Sequence, residues 1–210
     1  MKLLILGATG ATGQLLVQQA LAAGHEVTAL VRNPAQVTTS HPNFKAVKGQ
    51  ATVAADVEPL MRGQDAVLSA LGPRTKNDPV CADAASAVVS AMQNAGVKRL
   101  VWLSAGGVGD SKAHITAASF VFGRIILPLF LAKPYANHLR AEEVVRASGL
   151  DWTLVRPAQL VDQATGNPVV AVLPDQKVGG LKIARADVAA FMLGEVGARE
   201  YVGLAPTLHA

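Results

Sequence analysis

Cysteine is nearly absent: Cys81 stands alone among 210 residues. That excludes an intramolecular disulfide and a cysteine-based zinc cluster, and it agrees with a reducing compartment, so the cytoplasm is the expected location. Aromatics are scarce at 4%, while half the residues are hydrophobic, a composition suited to an α/β core of Ala, Val and Leu. The net charge is only +4, and its Lys and Arg are scattered. No basic cluster marks a nucleic-acid footprint, although the surplus favours anionic ligands such as phosphates and carboxylates. No His/Asp/Glu spacing marks a metal site. Tyrosine occurs only at Tyr135 and Tyr201, and the positions four further on are Leu139 and Ala205. A tyrosine acid with a lysine four residues later, a pairing that serves alcohol–ketone chemistry, is therefore missing.

What is present begins at the first residues. Lys2 to Leu6 is an apolar run of buried-strand length, better explained as a sheet strand than as the core of a signal peptide. Gly7-Ala8-Thr9-Gly10-Ala11-Thr12-Gly13 follows. Gly7 permits a tight turn out of the strand, Gly10 close approach to a pyrophosphate, and Gly13 close packing of the next helix. That helix, Gln14 to Ala23, carries Leu16, Val17, Ala20 and Leu21 at helical spacing, and its N-terminus offers unpaired N–H groups to phosphates. Strand, glycine turn, helix and second strand (Glu26 to Val31) in this order predict a dinucleotide site.

The charge after the second strand selects the dinucleotide. No Asp or Glu lies between Val27 and Ala55 to bond a ribose 2′-hydroxyl, whereas Arg32 stands at the strand end, ~20 residues past the glycines, where a basic residue accommodates a 2′-phosphate. The expected cofactor is NADP(H).

The remaining chain alternates. Strands are expected at Phe44–Val47, Asp65–Leu71, Arg99–Ser104 and Trp152–Arg156, and helices at Val53–Met61, Pro79–Asn94, Pro134–Ser148 and Arg185–Leu193. Val169–Leu173 and Leu181–Ile183 read as strands of a small C-terminal lobe, and Tyr201–Leu204 as a closing strand. This predicts one domain over 1–210: a Rossmann-like, doubly wound parallel sheet with helices on both faces. Ile115 to Ala132 is mostly apolar, but Arg124 and Pro128 interrupt it. It reads as a lid over an apolar substrate, a subunit interface or a core helix rather than a membrane span.

Ligands of such sheets gather at the carboxyl ends of the strands. Four stretches converge there: the glycine turn; Leu71-Gly72-Pro73-Arg74; Ser104-Ala105-Gly106-Gly107; and Pro157-Ala158-Gln159, a place for the nicotinamide ring. Ser104 is the candidate catalytic residue, placed to bond substrate or the nicotinamide amide. Lys133 and His138 lie near the start of their helix and within reach of the site; His138 reads equally as a solvated histidine or a proton donor.

Together these residues resemble the atypical short-chain dehydrogenase/reductase families, and among them the biliverdin-IXβ reductase/flavin reductase group with its bacterial NAD(P)H-binding relatives. The likeness runs from the glycine turn through Glu26-Val27-Thr28-Ala29-Leu30-Val31-Arg32, Gly63-Gln64-Asp65-Ala66-Val67 and Arg146-Ala147-Ser148-Gly149-Leu150 to Ala186-Asp187-Val188-Ala189-Ala190-Phe191-Met192. The resemblance implies NADP-dependent reduction of flavins or linear tetrapyrroles, usually by a monomer; the apolar stretch 115–132, read as an interface, gives a dimer as the alternative. It implies Thr9, Ala11, Thr12 and Gly13 at the pyrophosphate, Arg32 at the 2′-phosphate with Arg74 nearby, and Ser104 beside the nicotinamide and substrate. The chain departs from that pattern in three places. Gly49-Gln50 stands where the relatives carry Gly-Asp, Gln159 where they often carry a histidine, and the segment after Ser104 is longer.

With the Tyr/Lys dyad missing, the expected function is NADPH-dependent hydride transfer to a planar conjugated acceptor: a flavin, a quinone or a tetrapyrrole such as biliverdin. There the proton comes from solvent and the protein supplies orientation and a dry site. The alternative is a non-catalytic NADP(H)-binding redox sensor acting through a protein partner. A sugar-nucleotide epimerase fits less well, since it needs the dyad and a larger C-terminal lobe.

Overall fold

The computed structural model describes residues 1–73, 75, 78–113 and 132–210. Arg74 and nearly all of the apolar stretch 115–132 lie outside the described residues, and with them the lid, interface and membrane readings of that stretch. Among the described residues no helix is long and apolar enough to cross a membrane.

The chain winds as β1 (Lys2–Leu6), α1 (Ala11–Ala22), β2 (Glu26–Val31), β3 (Phe44–Lys48), α2 (Ala54–Met61), β4 (Ala66–Ser69), α3 (Val80–Ala95), β5 (Arg99–Leu103), α4 (Ala132–Arg146), β6 (Asp151–Pro157), β7 (Gln159–Val161), β8 (Val170–Val172), β9 (Lys182–Ala184), α5 (Arg185–Ala198) and β10 (Thr207–His209). Eight strands form one sheet in the order β3-β2-β1-β4-β5-β6-β10-β8. All its pairings are parallel except the antiparallel edge of β8 on β10. The topology reverses between β1 and β4, which opens the crevice where open α/β sheets bind ligands.

The central strands are buried on both faces, so they read as continuous apolar runs rather than as alternating ones. On one side of the sheet Leu4, Leu6, Val67, Leu100 and Trp102 pack beneath α2, α3 and α4. On the other Leu3, Ile5, Leu68, Val101 and Val155 pack beneath α1 and α5. The predicted stripe Leu16, Val17, Ala20 and Leu21 is buried, as is Ala85, Val88, Val89 and Met92 on α3.

Two expectations at the C-terminal end are corrected. Tyr201–Leu204 is a turn, not a strand: Gly203 adopts φ 75° and reverses the chain, leaving Leu204 a single bridge to Thr153. The closing strand is Thr207–His209, fully buried and parallel to β6. Val170–Val172 joins the main sheet rather than a separate lobe. The small extra sheet pairs Lys182–Ala184 with Gln159–Val161, a three-residue strand too short for any periodicity to announce.

Candidate functional site

The site begins at the end of β1. Gly7 takes φ 77°, and a Cβ there would fall 2.6 Å from the Ala70 carbonyl oxygen at the end of β4. A Cβ on Gly13 would fall 2.0 Å from the carbonyl oxygen of Gly7 itself. These glycines let the first turn of α1 close onto the strand end. Gly10 is the N-cap and has no side chain to cap the helix. The first amide to reach back is that of Gln14, which donates to Gly10 O at 2.9 Å. The amides of Ala11, Thr12 and Gly13 therefore meet no side-chain cap, and they sit at the positive end of the helix. Thr12 and Gly13 are buried, while Thr9, Gly10 and Ala11 are exposed.

A cleft runs from this turn over the ends of β2, β3 and β4. Gly7, Thr9, Arg32, Gly49, Gln50, Leu71 and Gly72 line it, with Asp78 and Asp83 on the wall made by the start of α3. Gly7 and Thr9 of the glycine turn thus share one cleft with Arg32, while Gly10 to Gly13 of the expected phosphate-binding turn do not line it. Arg32 is exposed and enters no ion pair among the described residues. A guanidinium held at a cleft edge without a carboxylate partner suits a phosphate. Gly49 is fitted tightly, its absent Cβ lying 2.7 Å from Leu30 Cδ1, and Asp56 anchors Gln50 by accepting from its backbone N–H at 2.8 Å. A cradle that a Cβ would fill, uncapped helix amides and an unpaired guanidinium fit a dinucleotide with a 2′-phosphate. Asp78, Val80 and Asp83 were not legible as cleft residues, because nothing in a helix's own periodicity says that its N-terminus faces a crevice.

Ser104, Ala105, Pro157, Ala158 and Gln159 do not line this cleft. They gather farther along the same sheet edge. Gly106 N–H donates to Pro157 O at 2.8 Å, tying the loop after β5 to the end of β6. Ala158 N–H donates to Leu208 O, and Gln159 N–H to Leu181 O, which turns Gln159 into β7 and leaves its side chain exposed.

Beneath Ser104 lies a buried polar network that sequence reasoning missed. The Ser104 hydroxyl donates to Glu142 Oε1 at 2.6 Å. Arg156 Nε donates to the same oxygen at 2.9 Å, and its NH2 group to Oε2 at 2.5 Å. Arg156 also pairs with Asp110. Ser104, Glu142 and Arg156 are 4%, 1% and 1% exposed. Burial works against the Arg156 charge, but hydrogen bonds and attraction from Glu142, then Asp110, outweigh it and raise the pKa above the ordinary value. A signal was available: Glu142 shares the buried face of α4 with His138, Ala141 and Val145, so a charge there demands a buried partner.

Tyr135 donates from its hydroxyl to the Gly106 carbonyl at 2.7 Å, and burial pushes its pKa up. His138 is buried, not solvated, and its Nδ1 has no hydrogen-bond partner among the described residues. Burial pulls its pKa down, with Glu142 opposing. Lys133 is exposed. Among the described residues no cluster of His, Cys, Asp or Glu is arranged to hold a metal.

Comparison with known proteins agrees with this architecture. A model of an NAD(P)H-binding family matches residues 7–198. A chloroplastic protein of Arabidopsis thaliana is 33% identical over 181 residues, covering 80% of this chain and 63% of its own. A (4-alkanoyl-5-oxo-2,5-dihydrofuran-3-yl)methyl phosphate reductase of Streptomyces griseus is 31% identical over 155 residues, covering 74% of this chain and 46% of its own. The chain thus spans less than two thirds of either relative's length. Among solved structures, a Rossmann-fold NAD(P)-binding family protein from Shigella flexneri superposes with a TM-score of 0.76 at 25% identity over 99% of this chain and 92% of its own. ChuY, an anaerobilin reductase from Escherichia coli O157:H7, gives 0.79 at 24% over 100% and 97%. With the family model covering nearly the whole length, the chain belongs to the NAD(P)H-binding family.

Proposed function

We propose that this chain is an NADPH-dependent reductase of planar conjugated acceptors: flavins, quinones or linear tetrapyrroles such as biliverdin. The observation that carries the reading is the state of Tyr135. Its hydroxyl proton is committed to the Gly106 carbonyl, and Leu139 stands where a lysine would lower its pKa. Burial moves that pKa up, away from acid catalysis. A ketone reduced to an alcohol needs a proton delivered to its oxygen, whereas a conjugated acceptor delocalises the incoming electron pair and takes its proton from solvent. The Streptomyces relative is named a reductase, which supports the reaction class.

In this reading Thr9 and the amides of Ala11 to Gly13 bind the pyrophosphate, and Arg32 binds the 2′-phosphate. Leu71 and Gly72 floor the cleft, and Ser104, Ala105 and Pro157 to Gln159 border the reacting ring. The nicotinamide cofactor supplies the hydride. The protein's part is to orient the ring and exclude water.

The test is NADPH oxidation, followed by absorbance, against a panel of flavins, quinones and bilins. Turnover of at least one acceptor, reduced in Ser104→Ala, is expected. Tight NADPH binding with no turnover on any of them would overturn the proposal. It would favour a redox sensor, which should bind oxidised and reduced cofactor with different affinity.

A further inference from the structure

The hydrogen bonds around Glu142 determine what Ser104 offers a ligand. A serine hydroxyl has one proton and two lone pairs. Here the proton goes to Glu142 Oε1 at 2.6 Å, the length of a charge-assisted O–H···O⁻ bond. Glu142 has no capacity to reverse that bond. Oε1 already takes the Arg156 Nε–H as well, and Oε2 takes the Arg156 NH2 group. Both oxygens face donors, and the guanidinium always carries its protons. All three residues are at least nine-tenths buried. Turning the hydroxyl away would leave a buried carboxylate short of one donor, which is costly where water cannot substitute.

We infer that Ser104 meets its ligand only as a hydrogen-bond acceptor, a polarity fixed by Glu142 as positioning residue, so that the site selects a ligand presenting an amide, lactam or imide N–H there over one presenting a bare carbonyl. The inference rests on the reductase reading for Ser104's place beside the reacting rings. It deepens that reading by favouring N–H-bearing acceptors such as flavins and bilins over quinones. Two ligands carry the chemistry: the carboxamide of the nicotinamide, and the acceptor itself.

The experiment has one arm for each. In the first, binding of NADPH is compared with that of its reduced 3-acetylpyridine analogue, which replaces the carboxamide by an acetyl group of similar size and needs no turnover. In the second, kcat and KM are compared for lumiflavin and 3-methyllumiflavin. In at least one arm the native chain should prefer the N–H form on the order of tenfold, and Ser104→Ala should reduce that preference to about twofold or less. Glu142→Gln, checked for folding by circular dichroism, should also reduce it, although Ser104 itself is retained. The Ser104→Ala comparison decides alone if Glu142→Gln does not fold. No preference in either arm, or a preference that survives in Ser104→Ala, would overturn the inference. A serine-dependent preference in the binding arm without turnover on any acceptor would sustain the inference and sink the reductase reading.

Discussion

Gly13 sits directly on Gly7: a Cβ on the former would come 2.0 Å from the carbonyl oxygen of the latter. The obstacle is backbone, not the end of a flexible side chain, so it cannot yield without moving the β1 turn or the start of α1. Those two pieces carry the uncapped amides of the proposed phosphate site. Gly13→Ala is expected to weaken NADPH binding at least tenfold and to lower stability by about 1–3 kcal/mol, the usual cost of overpacking. Calorimetric titration and urea unfolding measure the two. Binding within twofold of the native chain would show that this contact does not shape the cofactor site.

Arg32 gives a cleaner test, because it is exposed and enters no ion pair among the described residues. Charge-assisted contacts to phosphate are worth roughly 1.5–3 kcal/mol. Arg32→Ala should therefore weaken NADPH binding by about 10–150-fold, leave NADH binding nearly unchanged and leave thermal stability within ~0.5 kcal/mol. The ratio of the two dissociation constants is the measurement. A ratio unchanged by the substitution would remove Arg32 from the 2′-phosphate.

The cofactor half of the site was legible because its signals are local. Gly7, Gly10, Gly13 and Arg32 lie within one strand–turn–helix–strand unit, where spacing along the chain fixes spacing in space. The Ser104–Glu142–Arg156 network joins the ends of β5 and β6 to the C-terminal half of α4, across 38 and 14 residues, and no local period encodes such a meeting. Only the cost of a buried charge points to it, and that argument requires knowing which helix face is buried. Tyr201 to Leu204 departs from its expected strand for a related reason. Tyr201 to Leu204 has strand composition, but Gly203 at positive φ turns it, and tertiary context overrides propensity.

Glu142 and Arg156 hold charges that neither can spare. Glu142→Leu would leave the Arg156 guanidinium, 1% exposed, with Asp110 as its remaining ion-pair partner among the described residues. Removing one member of a buried pair costs about 3–5 kcal/mol, whereas replacing both by apolar residues is often neutral. Asp110, with its side chain 54% exposed, offsets only part of that loss. Glu142→Leu should therefore destabilise by at least ~2 kcal/mol, and Glu142→Leu combined with Arg156→Leu should recover more than half of the loss. Urea unfolding of the four forms in a double-mutant cycle measures the coupling. Additive losses would mean that the pair contributes little beyond its separate contacts.

His138 makes stability depend on pH. It is 7% exposed, and its Nδ1 meets no hydrogen-bond partner among the described residues. Burial, opposed in part by Glu142 four residues on, holds its pKa below 6.5. The unfolded chain, with its histidine solvated, therefore takes up the proton at a higher pH than the folded chain. Over that interval the unfolded state binds more protons, so stability is full above about pH 6.5 and falls as pH drops toward the folded pKa. His138→Asn removes the titration, so between about pH 7.5 and 5.5 it should lose less stability than the native chain, whatever its starting value. The other titrating groups are common to both chains and cancel in the difference, except Glu142, whose attraction to a protonated His138 is already included in the direction given. Urea unfolding at several pH values across that window measures the two slopes. Parallel slopes would mean that His138 takes up its proton as readily in the folded chain as in the unfolded one, and that α4 admits water at this position.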